Sequence, residues 1–458
     1  MRRTLTALGF LSLFGLVAAL LVVIAYGYGR RANFTGVDTL SAVFLVSVAA
    51  TYCLIVLMWR KAGMMEAVNA YFFLFPIGVV SLYQCAWDRF PWWYIHTRDN
   101  MLYANMLAVA VIMLFLAGNL LGQGRPFELP SRSVANRQIL FSKFTFVLSF
   151  LLLTGVNAWP RLLTPRFEKA GIPLEGISGQ ISYVAQDIAL CAMIVLIVAR
   201  RAPLHREQIS KTFYYMAGFY TFLIFNPIGN IRSVFIGYAL SCLCAILYGW
   251  SISGKAKGIF ITVLMAGNFL LFPAVKSFGA GLAEGWGGFI KTFNKFGNNL
   301  FSADFDVPQM TANGVAYVTR FGHTPLEYIV GFFLFFIPRS IWHDKPTGTP
   351  FYIMDSLNYS FLNLSYPYYL DLWSSGGYLL TVIGVVFVGF FIMRVGESAR
   401  RAEMNGTLNM SMVMYSLVAG FAPIMLRGSV NGSIAFYGIA FYWVAVTLFV
   451  SRLTIRRS

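Results

Sequence analysis

Long apolar runs alternate with short polar, basic segments along nearly the whole chain. Runs long enough to cross a hydrocarbon core of about 30 Å occupy roughly residues 5–26, 39–59, 64–84, 101–121, 142–158, 179–200, 212–226, 232–250, 258–275, 377–396, 408–426 and 432–451. They predict an all-α polytopic integral membrane protein of about 12 transmembrane helices, with residues 1–458 forming one transmembrane domain. The first run follows Met1-Arg2-Arg3 in the manner of a signal peptide, but it is roughly twenty residues long and has no convincing small-residue cleavage site. It is expected to stay as the first helix.

Basic residues fall in every second loop, which sets the expected orientation. Arg60 and Lys61 come first, then Arg125, Arg132, Arg137 and Lys143, then Arg200, Arg201, Arg206 and Lys211. Lys255 and Lys257 follow, then Arg394, Arg400 and Arg401, and the tail Arg452, Arg456 and Arg457. The pattern puts both termini in the cytoplasm. Arg30 and Arg31 depart from it, as do Arg89 and Arg98, which each have an aspartate beside them, Asp88 and Asp99.

Two outward segments exceed a turn: a smaller loop at 159–178, and a large one at 276–376 between the ninth and tenth spans. Functional groups concentrate in such loops. The large loop carries Trp286, Phe332, Phe333, Phe335, Phe336, Trp342, Tyr366, Tyr368, Tyr369 and Trp373, too many aromatics for a disordered linker. Its stretch Glu327 to Ile337 predicts a helix lying in the membrane interface.

Composition agrees: 58% of residues are hydrophobic, 12% are charged and the mean hydropathy is +0.67. A soluble globular protein is excluded. The net charge of +17 does not indicate nucleic acid, because the cations sit in clusters between spans. Cys53, Cys85, Cys191, Cys242 and Cys244 lie in or beside apolar runs with neither a CxxC nor a histidine-paired spacing, so they read as packing residues.

Cations on the outward side are informative because the orientation rule tends to clear them from there. Arg232 opens the eighth span in Asn226-Pro-Ile-Gly-Asn-Ile-Arg-Ser, and Arg427 closes the eleventh in Met425-Leu-Arg-Gly-Ser-Val-Asn-Gly. An arginine at this level grips a phosphate through two parallel hydrogen bonds, and Arg232 adds the free N–H groups of a helix N-terminus. The third element is Phe336-Ile-Pro-Arg-Ser-Ile-Trp-His-Asp-Lys-Pro, where Pro338 and Pro346 bracket Arg339, Trp342 and Lys345. Rigid backbone lowers the entropy lost on binding, and the set suits a ligand with phosphate and sugar parts.

Gly229-Asn230-Ile231-Arg232, the Phe336 to Pro346 element, Tyr369-Leu-Asp-Leu-Trp-Ser-Ser-Gly-Gly-Tyr-Leu and Leu426-Arg427-Gly428 together resemble the bacterial oligosaccharide repeat-unit polymerases, the Wzy-type O-antigen and enterobacterial-common-antigen polymerases. The local motifs run from about residue 226 to 432; the first two hundred residues match in hydropathy only. The resemblance implies a GT-C-like membrane glycosyltransferase of the bacterial inner membrane with a periplasmic active site. Such an enzyme moves a growing glycan from one undecaprenyl diphosphate to a newly flipped lipid-linked repeat unit and releases undecaprenyl diphosphate. A chain-length regulator and a flippase are the implied partners, and no cofactor is implied.

On that resemblance Arg232, Arg339 and Arg427 are carried across as diphosphate ligands that stabilise the departing charge. Arg161 and Arg166 of the smaller loop, with Lys345, Trp342, His323 and Tyr369, are expected to bind substrate. The acceptor hydroxyl needs a base, for which Asp371, Glu327, His323, Glu175 and Asp187 are candidates, with Asp371 preferred for its place in the Tyr-Leu-Asp-Leu-Trp segment. Asp304-Phe305-Asp306 has the spacing of a metal-binding Asp-X-Asp, but no metal is expected, because the resembling polymerases work without one.

An O-antigen ligase, passing the same glycan to lipid A core, is the nearest alternative. A lipid-linked oligosaccharide flippase or transporter is a different class. It is disfavoured because the spans are nearly free of charge, with Glu66 near an end and Asp187 the main exception, and the chain lacks two related halves.

Overall fold

The computed structural model describes residues 35–93, 95–124, 127, 130–164, 176–226, 230, 232–266, 300–335, 337, 341–346, 348–359 and 364–453. Its elements are helices throughout, and no strand occurs among the described residues. Among the described residues, seven helices are long and apolar enough to cross a membrane: Val37–Met58, Met64–Trp87, Arg98–Leu121, Arg132–Gly155, Ile177–Arg201, Tyr368–Met404 and Met410–Arg427. Val234–Leu247 and Tyr437–Arg452 are shorter apolar helices. These nine fall on nine of the twelve expected spans; the seventh and ninth carry the shorter helices Lys211–Ile224 and Gly254–Ala266. The expected first span, 5–26, lies outside the described residues, as does the second half of the ninth.

The chain divides into two units. The first comprises the described residues of Met1–Gly118, Ser253–Gly389 and Leu426–Asn431, and the second those of Asn119–Ile252, Phe390–Met425 and Gly432–Ser458.

In the first unit, polar side chains join spans that apolar contact alone would leave free to slide. Ser81 Oγ donates to Asn105 Oδ1 at 2.8 Å, and Asn105 Nδ2 donates to Ser41 Oγ at 2.8 Å, so one amide links three helices. Hydrogen bonds of this kind hold helices together where the hydrophobic effect between them is weak. The helix Met64–Trp87 is the unit's centre; Pro76, which has no N–H to give, lies in a π-helical stretch, Phe73–Val79, that accommodates the lost bond.

The basic end of this unit is locked by Lys257. Its ammonium is fully buried and donates to the carbonyls of Val56 at 2.5 Å, Trp59 at 2.7 Å and Ala62 at 3.0 Å. Val56 lies in the last turn of the helix Val37–Met58 and Trp59 and Ala62 in the turn that follows it, so the cation meets an end carbonyl and the negative end of the helix dipole together. The charge clusters that mark orientation in the sequence therefore also finish a helix.

Two described stretches of the large segment pack inside the unit. Residues 305–315 are buried without interruption, and so are residues 364–375. The helix Val307–Phe321 enters the unit with Gln309, Thr311 and Asn313 buried along it. Over the stretch Glu327 to Ile337 the helix is Glu327–Phe333. The tenth span begins at a break: Gly376 and Gly377 interrupt Tyr368–Met404, and Gly377 takes φ +60°, which glycine adopts without strain.

In the second unit the helices Arg232–Leu247 and Met410–Arg427 cross on small residues. A side chain at Gly420 would meet Ser241 Oγ at 1.9 Å and the Gly237 carbonyl at 2.5 Å, so these backbones touch directly. Thr145 accepts from the Trp443 indole at 3.3 Å, and Ser149 shares a hydrogen bond with Tyr220 at 3.1 Å, on the helix Arg132–Gly155.

Candidate functional site

Arg427 and Asp306 form the centre of the site, in the first unit. Arg427 Nε donates to Ser365 Oγ at 2.8 Å and Nη2 donates to the Ala303 carbonyl at 3.0 Å, with Asp306 Oδ1 3.7 Å from Nη2. Two hydrogen bonds fix the plane of the guanidinium. Nη1 has no hydrogen-bond partner among the described residues, and the side chain is 42% exposed, so one edge of a held fork faces outward.

Asp306 is 1% exposed and accepts from the Ser365 hydroxyl, from Ser365 N–H at 3.4 Å and from Trp92 Nε1 at 3.1 Å. Burial pushes its carboxyl above the ordinary carboxylate range, and the Arg427 guanidinium and these donors pull it back. Its neighbour in the Asp304-Phe305-Asp306 spacing is Asp304, half-buried. No group of three His, Cys, Asp or Glu side chains that could hold a metal ion occurs among the described residues.

The backbone carrying Arg427 is clamped at both ends by one segment. Tyr366 N–H donates to the Arg427 carbonyl at 2.8 Å, and Val430 N–H donates to Asp371 Oδ2 at 2.9 Å. Val430 opens the last helix, Val430–Leu453, so Asp371 satisfies an N-terminal N–H that this helix cannot pair itself. Asp371 is fully buried, and its Oδ1 has no hydrogen-bond partner among the described residues. A carboxylate so enclosed holds a turn; it does not meet a substrate hydroxyl. Asp371→Asn keeps an acceptor for Val430 and is expected to melt, in detergent, within about 0.5 kcal/mol of wild type, whereas Asp371→Ala is expected to lose about 1–2 kcal/mol. Equal losses in the two variants would show that the negative charge, not the acceptor, holds the turn.

His323 is exposed beside this segment. Its Nδ1 lies 3.2 Å from the Ser374 carbonyl, and Ser374 Oγ receives the Tyr366 hydroxyl at 3.0 Å. A carbonyl only accepts, so Nδ1 is the donor, and in the neutral ring Nε2 then carries the lone pair. A Cβ at Gly377 would sit 3.5 Å from Nε2, so the absence of a side chain there leaves that nitrogen open.

Other expected residues fall elsewhere. Tyr369 is fully buried with its ring 6.3 Å from that of Phe73, and cannot stack on a sugar. Lys345 donates to the carbonyls of Phe335 at 2.5 Å and Ile337 at 3.0 Å, finishing its own loop, and Trp342 is half-buried there. Glu327 opens the helix Glu327–Phe333. Arg339, Arg166 and Glu175 lie outside the described residues.

The second unit holds Arg161, Arg232 and Asp187. Arg161 is on the short helix Trp159–Leu163, and Asn226 Nδ2 donates to the Leu162 carbonyl at 3.0 Å, which brings the smaller loop against the turn that leads to Arg232. Arg232 opens the helix Arg232–Leu247 as expected; its side chain lies outside the described residues. Asp187 is buried within the span Ile177–Arg201.

Sequence reasoning missed the short loop at 88–97. Trp92 N–H donates to Gln309 Oε1 at 3.0 Å, and Gln309 Nε2 donates back to the Trp92 carbonyl at 2.9 Å and the Trp93 carbonyl at 3.3 Å. Asn313, one helical turn on, pairs with His96 Nδ1 at 2.9 Å and donates to the Tyr359 hydroxyl at 2.5 Å. The available signal was amides at i and i+4 in a helix of otherwise small and apolar residues.

No protein-family model, no curated protein and no solved structure matches this chain. What the fold itself defines is an all-helical polytopic membrane protein.

Proposed function

We propose that this chain is a lipid-linked oligosaccharide polymerase, a metal-independent glycosyltransferase acting at the periplasmic face of a bacterial inner membrane. The observation that carries the reading is Arg427: a guanidinium fixed by Ser365 and Ala303, with one edge uncommitted, closing a helix of membrane-spanning length. That edge fits a phosphate oxygen of an undecaprenyl diphosphate whose tail lies in the bilayer. Support from Arg232, Arg339, Arg161 and Arg166 rests on the sequence resemblance alone.

In the reaction, the acceptor hydroxyl of a new repeat unit attacks the anomeric carbon of the donor glycan. The bond from that carbon to the diphosphate oxygen breaks, and undecaprenyl diphosphate leaves with the electron pair. Arg427 stabilises the charge that develops on the leaving oxygen. His323 Nε2 takes the hydroxyl proton, and Asp371 keeps the Arg427 turn in place; Asp371→Asn is therefore expected to remain active. Chain-length regulators and the flippase that delivers repeat units are the expected partners.

Deleting the gene in its source organism tests the reading. A surface-glycan ladder that collapses to single repeat units on lipid A core is the polymerase result. Core without any repeat unit, with lipid-linked polymer accumulating, is the ligase result, and an unchanged glycan overturns both.

A further inference from the structure

Trp93 is exposed over half its surface yet built into a rigid mount. Its ring lies on that of Tyr359 with centroids 4.7 Å apart and planes 15° apart, so one face is covered and the other is open. The Tyr359 hydroxyl donates to the Trp93 carbonyl at 2.7 Å, and Gln309 reaches the same carbonyl at 3.3 Å. Tyr359 is itself 5% exposed, with its hydroxyl held by Asn313 at 2.5 Å. The adjacent residue, Trp92, donates directly to Asp306, which pairs with Arg427.

We propose that Trp93 is a glycan subsite, a platform on which a sugar ring of the repeat unit stacks while its diphosphate or its acceptor end lies near Arg427. The proposal rests on the polymerase reading and names the part of the substrate that the reading leaves without a contact, since Tyr369 is buried. An aromatic face carries negative quadrupole charge that attracts the C–H groups on the apolar face of a pyranose. Because the ring is already fixed from below and through its backbone, little freedom is lost when a sugar settles on it. A tryptophan serving only as a membrane-interface anchor needs neither the parallel tyrosine nor the Gln309 amide and the Tyr359 hydroxyl on its carbonyl.

The test uses the purified full-length protein in proteoliposomes, with lipid-linked repeat unit extracted from the deletion strain as substrate. Trp93→Leu keeps an apolar side chain for the interface and removes the flat face; Trp93→Phe keeps a face. The expected result is that Trp93→Leu raises KM for the lipid-linked unit about tenfold with kcat within about twofold, and Trp93→Phe restores KM to within about threefold, since tenfold corresponds to about 1.4 kcal/mol of stacking. Free repeat-unit oligosaccharide, released from the lipid by mild acid, is expected to compete against wild type about tenfold better than against Trp93→Leu. Wild-type KM and competition in Trp93→Leu, with Arg427→Ala inactive, overturn the subsite and leave the polymerase intact. A wild-type protein that makes no polymer overturns the polymerase reading itself.

Discussion

Arg427→Ala is expected to lower the polymerisation rate by about a hundredfold or more, the usual consequence of removing one fixed donor from a developing oxyanion. The ladder in a complemented deletion strain should collapse to one repeat unit while the variant stays in the membrane. Removing the cation also leaves Asp306, 1% exposed, with Ser365 and Trp92 as its partners among the described residues, a loss of about 1–2 kcal/mol of stability. Stability and chemistry can be separated by pairing Arg427→Ala with Asp306→Asn, which removes the uncompensated charge. The double variant should regain the melting temperature and stay inactive. Recovery of polymer in the double variant would mean that Arg427 acts only as the counter-ion of Asp306, and the diphosphate site would have to lie elsewhere. Arg427→Lys is not expected to rescue, because an ammonium cannot donate to Ser365 and Ala303 and present a third N–H in the same plane.

The spans were legible in the sequence because each needs only its own residues: the lipid reads hydropathy locally, and the observed helices Val37–Met58, Arg98–Leu121 and Ile177–Arg201 lie within a few residues of the apolar runs. Arg427 was legible for the same reason, as a cation at the end of an apolar run on the side that tends to lack them. Asp306 was not. In sequence it is half of a common Asp-X-Asp spacing; what makes it part of the site is Arg427, Ser365 and Trp92, the last 214 residues away. Asp371 was assigned to catalysis from its place in a family-like motif, whereas its carboxylate holds Val430, 59 residues on. The large segment is outward in the sequence reading through the alternation of spans and basic loops, which says nothing of how deeply it packs. Burial of Gln309 and Asn313 depends on backbone and side-chain partners at Trp92, Trp93 and His96, and no local pattern encodes a partner 217 residues distant.

His323→Gln is expected to lower kcat by about a hundredfold with the KM for lipid-linked repeat unit nearly unchanged, since general-base catalysis contributes on that order. The argument is one of elimination joined to geometry. Asp371 is sealed and occupied by a backbone N–H, Asp187 is buried within a span and Glu175 lies outside the described residues; of the exposed candidates, Glu327 and His323, it is His323 that hydrogen-bonds the Ser374 carbonyl, three residues from Asp371, and in the neutral ring that bond leaves Nε2 free to accept. Glutamine reproduces the side chain's polarity and its donor to a carbonyl but takes no proton, so a merely structural histidine would tolerate it. A cavity-forming His323→Gly variant extends the test, because added imidazole can then enter and do what the tethered ring did. Imidazole is expected to restore part of the lost rate in His323→Gly and none of it in Arg427→Ala. Full activity in His323→Gln would overturn the assignment, and the proton would then leave to water or to the departing diphosphate, which Arg427 already holds in reach of the reacting carbon in the proposed mechanism. Rescue confined to His323→Gly would instead separate the two tasks of the site, charge stabilisation at Arg427 and proton removal at His323, as distinct losses that one added base can and cannot repair.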